Sequence, residues 1–241
     1  FDLAERLQTP VMVLSDLDIG MNDWPCPDLK WDDSYQPDRG KVLSAEQISK
    51  LEKFQRYLDA DGDGIPYRTL PGAHPKGAYF TRGSGHNQYG GYTEDAAEYQ
   101  LVIDRLVHKF QTAKTLVPRP VVDRNPRVDI GLIAYGSSDG AVREARDLLR
   151  ARGININYLR VRAFPFGEEV EQFLEQHRVV FVVDQNRDAQ MRSLLTLETR
   201  VEKAKLRSLL HYSGLPISSE FIVAGVLAEV GTAARVVGVS A

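Results

Sequence analysis

Apolar and polar positions along this chain fall into three zones of different rhythm, and the zone from about Val128 onward is the most regular. "VDIGLIAYG" (128–136) is a continuous apolar run of strand length. "SSDGAVREARDLLRARG" (137–153) repeats apolar residues at helical spacing until Gly153, at a C′ position, closes it. "INYLRVR" (156–162) alternates as a strand does, and "GEEVEQFLEQH" (167–177) is a short amphipathic helix. "RVVFVVDQN" (178–186) reads as a buried strand and "DAQMRSLLTLE" (188–198) as a further helix. Strands and helices that alternate across short loops predict βαβ units, a parallel sheet and right-handed crossovers.

The earlier zones are less periodic. "FDLAERL" (1–7) predicts an amphipathic helix, and "TPVMVLSDLDIG" (9–20) a short buried strand that ends in a polar loop. Apolar runs of this kind belong to sheets covered on both faces. From Asp23 to about Pro126 the pattern predicts an irregular insertion. Within it, "SAEQISKLEKFQRYL" (44–58) starts with a capping box, Ser44 and Gln47, and carries a helical stripe at Ile48, Leu51 and Leu58. "TEDAAEYQLVIDRLVHKFQTAK" (93–114) predicts a long helix with Thr93 placed to cap it, and "VPRPVVDRNPR" (117–127) reads as a linker. The expected division is 1–22, 23–126 and 127–241.

Composition narrows the function classes. The 241 residues suffice for one large domain or two ordinary ones. Lys+Arg 30 against Asp+Glu 33 leaves a net charge of −3, which gives no electrostatic reason for a nucleic-acid or membrane-surface partner. No apolar run approaches the roughly 18 residues of a membrane span. Cys26 is the sole cysteine, so disulfide frameworks, CxxC zinc sites and an iron–sulfur cluster held by this chain alone are excluded. A reduced, cytoplasmic setting is the expectation. The chain opens on Phe1 without a basic n-region, so it does not start as a signal peptide, and upstream residues that complete the first domain are expected.

Three constellations carry candidate chemistry. In "DADGDGIPYR" (59–68), Asp59, Asp61, Asp63 and Gly64 occupy positions one, three, five and six of a calcium loop. Pro66 at position eight, Leu70 at position twelve and the extended residues that follow rule out an EF-hand sensor. Two readings stand: a structural Ca²⁺ or Mg²⁺ that neutralises crowded carboxylates, or an Asx-bonded turn braced by Arg56 or Arg68. In "TRGSGHNQYGGYTED" (81–95), glycines allow close backbone approach, and Arg82, His86 and Asn87 are donors suited to a carboxylate or phosphate. The bland alternative is a surface loop in which His86 and Tyr89 pack locally. "SDLDIGMN" (15–22) follows the apolar run, where α/β proteins place ligands, so Asp16, Asp18 and Asn22 either line a crevice or simply end the strand. Cys26, between prolines, has no activating base beside it, and "YGSSDG" (135–140) lacks both the GxGxxG spacing and a Walker lysine. His108, His177 and His211 stand alone and read as ordinary surface or core residues.

Taken together, these segments resemble a known family. The strand–"YGSS"–helix opening, "RVRAFPF" and "VVFVVDQN" resemble the transketolase C-terminal-like domain of thiamine-diphosphate enzymes. "LQTPVMVLSDLDIGMN" resembles the end of a pyrimidine-binding domain. "RYLDADGDGIPYRTLPG", "KGAYFTRGSGHNQYGGYTED" and "LHYSGLPIS" resemble the α subunit of 2-oxoglutarate-type 2-oxoacid:ferredoxin oxidoreductases. The resemblance implies an α/β fold with three parts: the end of a pyrimidine domain, an irregular insertion and a parallel-sheet domain. It also implies oxidative decarboxylation of a 2-oxoacid to an acyl-CoA, with electrons passed to ferredoxin. A β subunit would supply most of the hold on thiamine diphosphate, Mg²⁺ and a [4Fe-4S] cluster, and the catalytic residues would lie upstream of Phe1, so none is assigned here. The rival readings are a non-catalytic assembly or metal-stabilised interaction module of the same fold, and a transketolase-like or E1-type enzyme. The insertion and "GSGHNQYGG" argue against the last of these.

Overall fold

A computed structural model of the chain describes residues 1–236, with side chains to residue 230. In chain order the helices are α1 (Asp2–Leu7), α2 (Leu17–Met21), α3 (Ala45–Ser49), α4 (Ala96–Leu116), α5 (Ser138–Arg150), α6 (Glu168–Gln176), α7 (Gln190–Glu198) and α8 (Ser219–Val236). The strands are β1 (Val121–Asp123), β2 (Ile130–Tyr135), β3 (Asn157–Val161), β4 (Val179–Asp184) and β5 (Leu206–Leu210). The chain divides into two compact units, Phe1–Val13 with Cys26–Val117, and Leu14–Pro25 with the residues from Pro118 onward.

The second unit is an open sheet in the order β1-β3-β2-β4-β5. β2, β3, β4 and β5 pair in parallel, while β1 pairs antiparallel with β3 at the edge. The apolar strands run without polar interruption because both sheet faces are covered. Leu132, Ala134, Phe181 and Val183 pack on one face with Val142 and Leu149 of α5 and with Ile222 and Val226 of α8. Ile133, Leu159, Val180 and Val182 pack on the other with Val170, Phe173 and Leu174 of α6 and Leu195 of α7. Full burial of each Leu, Ile, Val or Phe contributes about 1.5–3 kcal/mol, so these two clusters are what hold the unit together. The parallel α/β architecture expected from the sequence is present.

Several local expectations are corrected. No strand forms in "TPVMVL": Met12, Val13 and Leu14 are 83%, 92% and 89% exposed, and no described segment pairs with them. A strand without a neighbour leaves its backbone unbonded, so the apolar run alone does not suffice. The helix at Ser44 has its full capping box but stops at Ser49, so Leu51 and Leu58 lie outside it. Asp95 caps α4 through the Glu98 amide, while Thr93 accepts from Asp95 N. The supposed linker contains β1, whose edge position tolerates a polar, three-residue strand.

In the first unit, Leu7 of α1 packs with Ile65 and Ala113 of α4. In the second, a buried polar joint ties loop to helix. Asn157 accepts from Asn125 N at 2.7 Å and donates to the carbonyls of Asn125 and Val128. Its Nδ2 also meets His177 Nε2 at 2.8 Å, and His177 Nδ1 faces the Phe173 carbonyl at 2.5 Å. This arrangement suits the neutral imidazole with its proton on Nδ1. Burial holds the His177 pKa below its usual value, although the bond to Phe173 works against that shift. A depressed folded-state pKa means that the unfolded chain takes up the proton first. Stability should therefore be full above about pH 6.5 and fall as pH drops towards the folded-state value. Thermal melts between pH 7.5 and pH 5 should show the loss, and His177→Gln should flatten it. An unchanged slope in that variant would refute the assignment.

Candidate functional site

The carboxylate-rich turn in the first unit is closed by backbone bonds. Asp59 accepts from Asp63 N at 3.1 Å and from Gly64 N at 2.9 Å, and Asp63 accepts from Ile65 N at 2.9 Å. The positive charge among them is Lys41. Its Nζ lies 2.8 Å from Asp61, 2.7 Å from Asp63 and 3.0 Å from the Ile65 carbonyl. Partial burial would lower the Lys41 pKa, but the bonds to Asp61 and Asp63 prevail and raise it. Arg56 and Arg68, the braces expected from sequence, turn elsewhere. Arg56 Nε donates to the Tyr79 hydroxyl, and Arg68 bonds Glu5 and the Arg39 carbonyl. Among the described residues no group of three His, Cys, Asp or Glu is arranged to hold a metal. Lys41→Met should therefore destabilise the turn by about 1 kcal/mol, and added Ca²⁺ should leave the wild-type melting temperature unchanged. A calcium-dependent rise would favour the metal reading instead.

The Gly-rich segment is a tight turn bonded to itself. Asn87 N donates to Gly91 O and Thr93 N to Gly85 O, and Asn87 Oδ1 accepts from both Tyr89 N and Gly91 N at 3.1 Å. The carboxamide oxygen of Asn87 is thus spent inside the loop. His86 packs on Tyr57 with ring centroids 4.3 Å apart, and neither ring nitrogen has a protein hydrogen-bond partner. Burial, then the charge of Arg105, keeps this imidazole below its usual pKa. Arg56 and Arg105 also lie against the Tyr57 ring, at 5.1 and 5.8 Å from its centroid. A cleft of about 260 Å³ opens beside this cluster, walled by Tyr57, Asp59, Asn87, Gln88, Glu98 and Arg105. Arg82 is exposed and makes no hydrogen bond to His86 or Asn87. The tyrosine flanked by two guanidiniums was not legible in sequence, because Arg105 arrives from α4, 48 residues downstream.

In the second unit the polar groups gather where open parallel sheets place ligands, at the C-terminal ends of β2 and β4, between which the strand order reverses. Asp184 is fully buried at the end of β4. Its Oδ1 accepts from the Tyr135 hydroxyl at 3.0 Å, from Asn186 Nδ2 at 3.0 Å and from Met191 N in the first turn of α7 at 3.2 Å. Burial, followed by the charge of Asp184, pushes the Tyr135 phenol up to about 12. Gln185 donates to the hydroxyls of Ser137 and Ser138 at the start of α5. Asp16 caps α2 through Ile19 N at 2.9 Å and also accepts from Ser137 N at 3.0 Å. Asp18 is half-buried and Asn22 is exposed. Asp16 therefore ends no strand; it joins a helical turn to α5. Sequence reasoning did not single out Asp184, although a charge closing the run "VVFVV" marks it; its partners carry no local signal.

Comparison with known proteins places these features in context. Residues 128–213 match the family described as pyruvate:ferredoxin oxidoreductase core domain II. The α subunit of 2-oxoacid:ferredoxin oxidoreductase 2 from Aeropyrum pernix is 28% identical over 236 residues, which cover 95% of this chain and 35% of that protein. The corresponding α subunit from Saccharolobus solfataricus is 25% identical and is likewise matched over 95% of this chain. The chain is thus similar, over most of its length, to α subunits of 2-oxoacid:ferredoxin oxidoreductases. It spans about a third of the length of these curated relatives. 2-Oxoglutarate synthase subunit KorA of Methanothermobacter marburgensis is 24% identical over 77% of the chain and 48% of its own length. The 2-oxoglutarate:ferredoxin oxidoreductase of Magnetococcus marinus, solved with 2-oxoglutarate, coenzyme A and succinyl-CoA, shares the fold. It has a TM-score of 0.78 and 24% identity over 95% of this chain and 39% of that one.

Among the described residues no group of three His, Cys, Asp or Glu forms a metal cage. The chain's single cysteine is exposed and cannot ligate a four-iron cluster alone. The acidic turn is filled by Lys41, and Asp16 is bonded on both carboxylate oxygens. No helix among the described residues is long and apolar enough to cross a membrane.

Proposed function

We propose that this chain is part of the α subunit of a thiamine-diphosphate-dependent 2-oxoacid:ferredoxin oxidoreductase. The enzyme would convert a 2-oxoacid, 2-oxoglutarate in the first instance, to its acyl-CoA and pass electrons to ferredoxin. The carrying observation is the match of 95% of the chain to an α subunit of that name at 28% identity. The name of the 2-oxoglutarate synthase relative supports the substrate. In this reading a β subunit supplies the grip on thiamine diphosphate, Mg²⁺ and the [4Fe-4S] cluster, and the enzyme works in the cytoplasm. The chain at hand contributes architecture and two presenting surfaces. One is the α2 segment, with Asp18 in its first turn and Asn22 as the C-cap residue whose N–H bonds the Asp18 carbonyl. The other is the Gly-rich turn, where Arg82 is exposed and His86 is held by Tyr57.

The test is reconstitution with the remaining two thirds of the subunit and the β partner. CoA-dependent reduction of a viologen dye by 2-oxoglutarate is the expected result. Arg82→Ala should raise KM for the oxoacid more than it lowers kcat, as expected for a group that binds the ground state and the transition state alike. A full complex that is silent with every oxoacid would leave the non-catalytic module of the same fold as the surviving reading.

A further inference from the structure

We infer that Asp16 is a positioning residue, a latch that fixes the turn of helix carrying Asp18 and Asn22 against the start of α5. The observation is the double bond of its carboxylate, one oxygen to Ile19 N within α2 and the other to Ser137 N across 121 residues of sequence. The receiving end is shaped for it. Gly136 has φ +59, and a Cβ at that position would stand 2.8 Å from Asp16 Oδ2, so the carboxylate approaches through space that only glycine leaves open. The α5 N-terminus presents amides that a carboxylate satisfies, and Ser137 makes no side-chain cap of its own. α2 has little core to hold it. It is five residues long and buries none of them, and Leu17 and Met21 are 76% and 75% exposed. A helix this short does not persist on propensity alone. In this inference Asp16 acts through its neighbours. Its functional weight rests on the reading above, in which the α2 segment presents Asp18 and Asn22.

Hydrogen–deuterium exchange on the 241-residue chain tests the latch directly. Asp16→Ser retains an oxygen that can accept from Ile19 N but is too short to serve both amides. Asp16→Asn retains one acceptor, and Gly136→Ala blocks the approach from the other side. In Asp16→Ser and Gly136→Ala, the amides of residues 17–22 and of Ser137 should exchange at least about tenfold faster, with Asp16→Asn intermediate. Protection in β2 and β4 should stay as in the wild type. Wild-type exchange at Ser137 and 17–22 in both variants would overturn the latch. Collapse of β2–β4 protection in Asp16→Ser would also overturn it, since Asp16 would then be a general prop of the fold. In the assembled oxidoreductase, released exchange with unchanged turnover would keep the latch and refute the presenting role of Asp18 and Asn22.

Discussion

Gly64→Ala should unfold the first unit at room temperature or bring it close to doing so. Gly64 sits at φ +77, and a Cβ there would lie 2.3 Å from Lys109 N, 2.7 Å from Lys109 Cα and 2.9 Å from the Arg105 carbonyl. All three atoms are backbone of α4, so no side-chain rotation relieves the clash. The turn is also bolted to that helix at this point, because Arg105 donates to Gly64 O at 2.8 Å and Thr112 to Asp63 O at 2.6 Å. Left-handed strain and forced separation together should cost about 3–5 kcal/mol. Hydrogen exchange should show α4 losing protection while β2–β4 keep theirs. A cost below about 1 kcal/mol would mean that the turn and α4 are not packed backbone to backbone.

Asp184→Ala should be the most damaging polar deletion in the second unit, at about 2–4 kcal/mol. It orphans the Tyr135 hydroxyl, the Asn186 amide and the Met191 N–H, all of which converge on one oxygen. Denaturant unfolding gives the energy, and spectrophotometric titration of the phenol gives an independent readout. Tyr135, held near 12 by burial and then by Asp184, should titrate lower once the carboxylate is gone. Asp184→Asn, which retains an acceptor, should recover much of the stability while still lowering that pKa. A Tyr135 titration indifferent to both substitutions would sink the assignment.

How much could be read in advance depended on how locally each feature is specified. β2, β4 and α5 were legible because two-sided burial writes long apolar runs and a 3.6-residue stripe. β1 was missed because an antiparallel edge strand of three exposed residues looks like the linker it interrupts. "TPVMVL" misled for the opposite reason: it has the composition of a buried strand but no neighbour among the described residues. At the candidate site the Asx bonds of Asp59 and Asp63 followed from residue type and spacing. Lys41, which answers their charge, lies 18 residues upstream of Asp59 and carries no local mark. Arg105 on Tyr57 and Asp16 on Ser137 are likewise meetings that only the tertiary fold arranges.

The ammonium of Lys41 between Asp61 and Asp63 has a practical consequence for the chain. A turn locked by a borrowed ion is only as secure as the ion's supply, and chelators can undo it. Here an ammonium of the polypeptide itself stands between the carboxylates, so a chelating buffer should leave the turn intact. Its weak point is amine chemistry: acylation of that one side chain would erase the charge and leave two carboxylates facing each other.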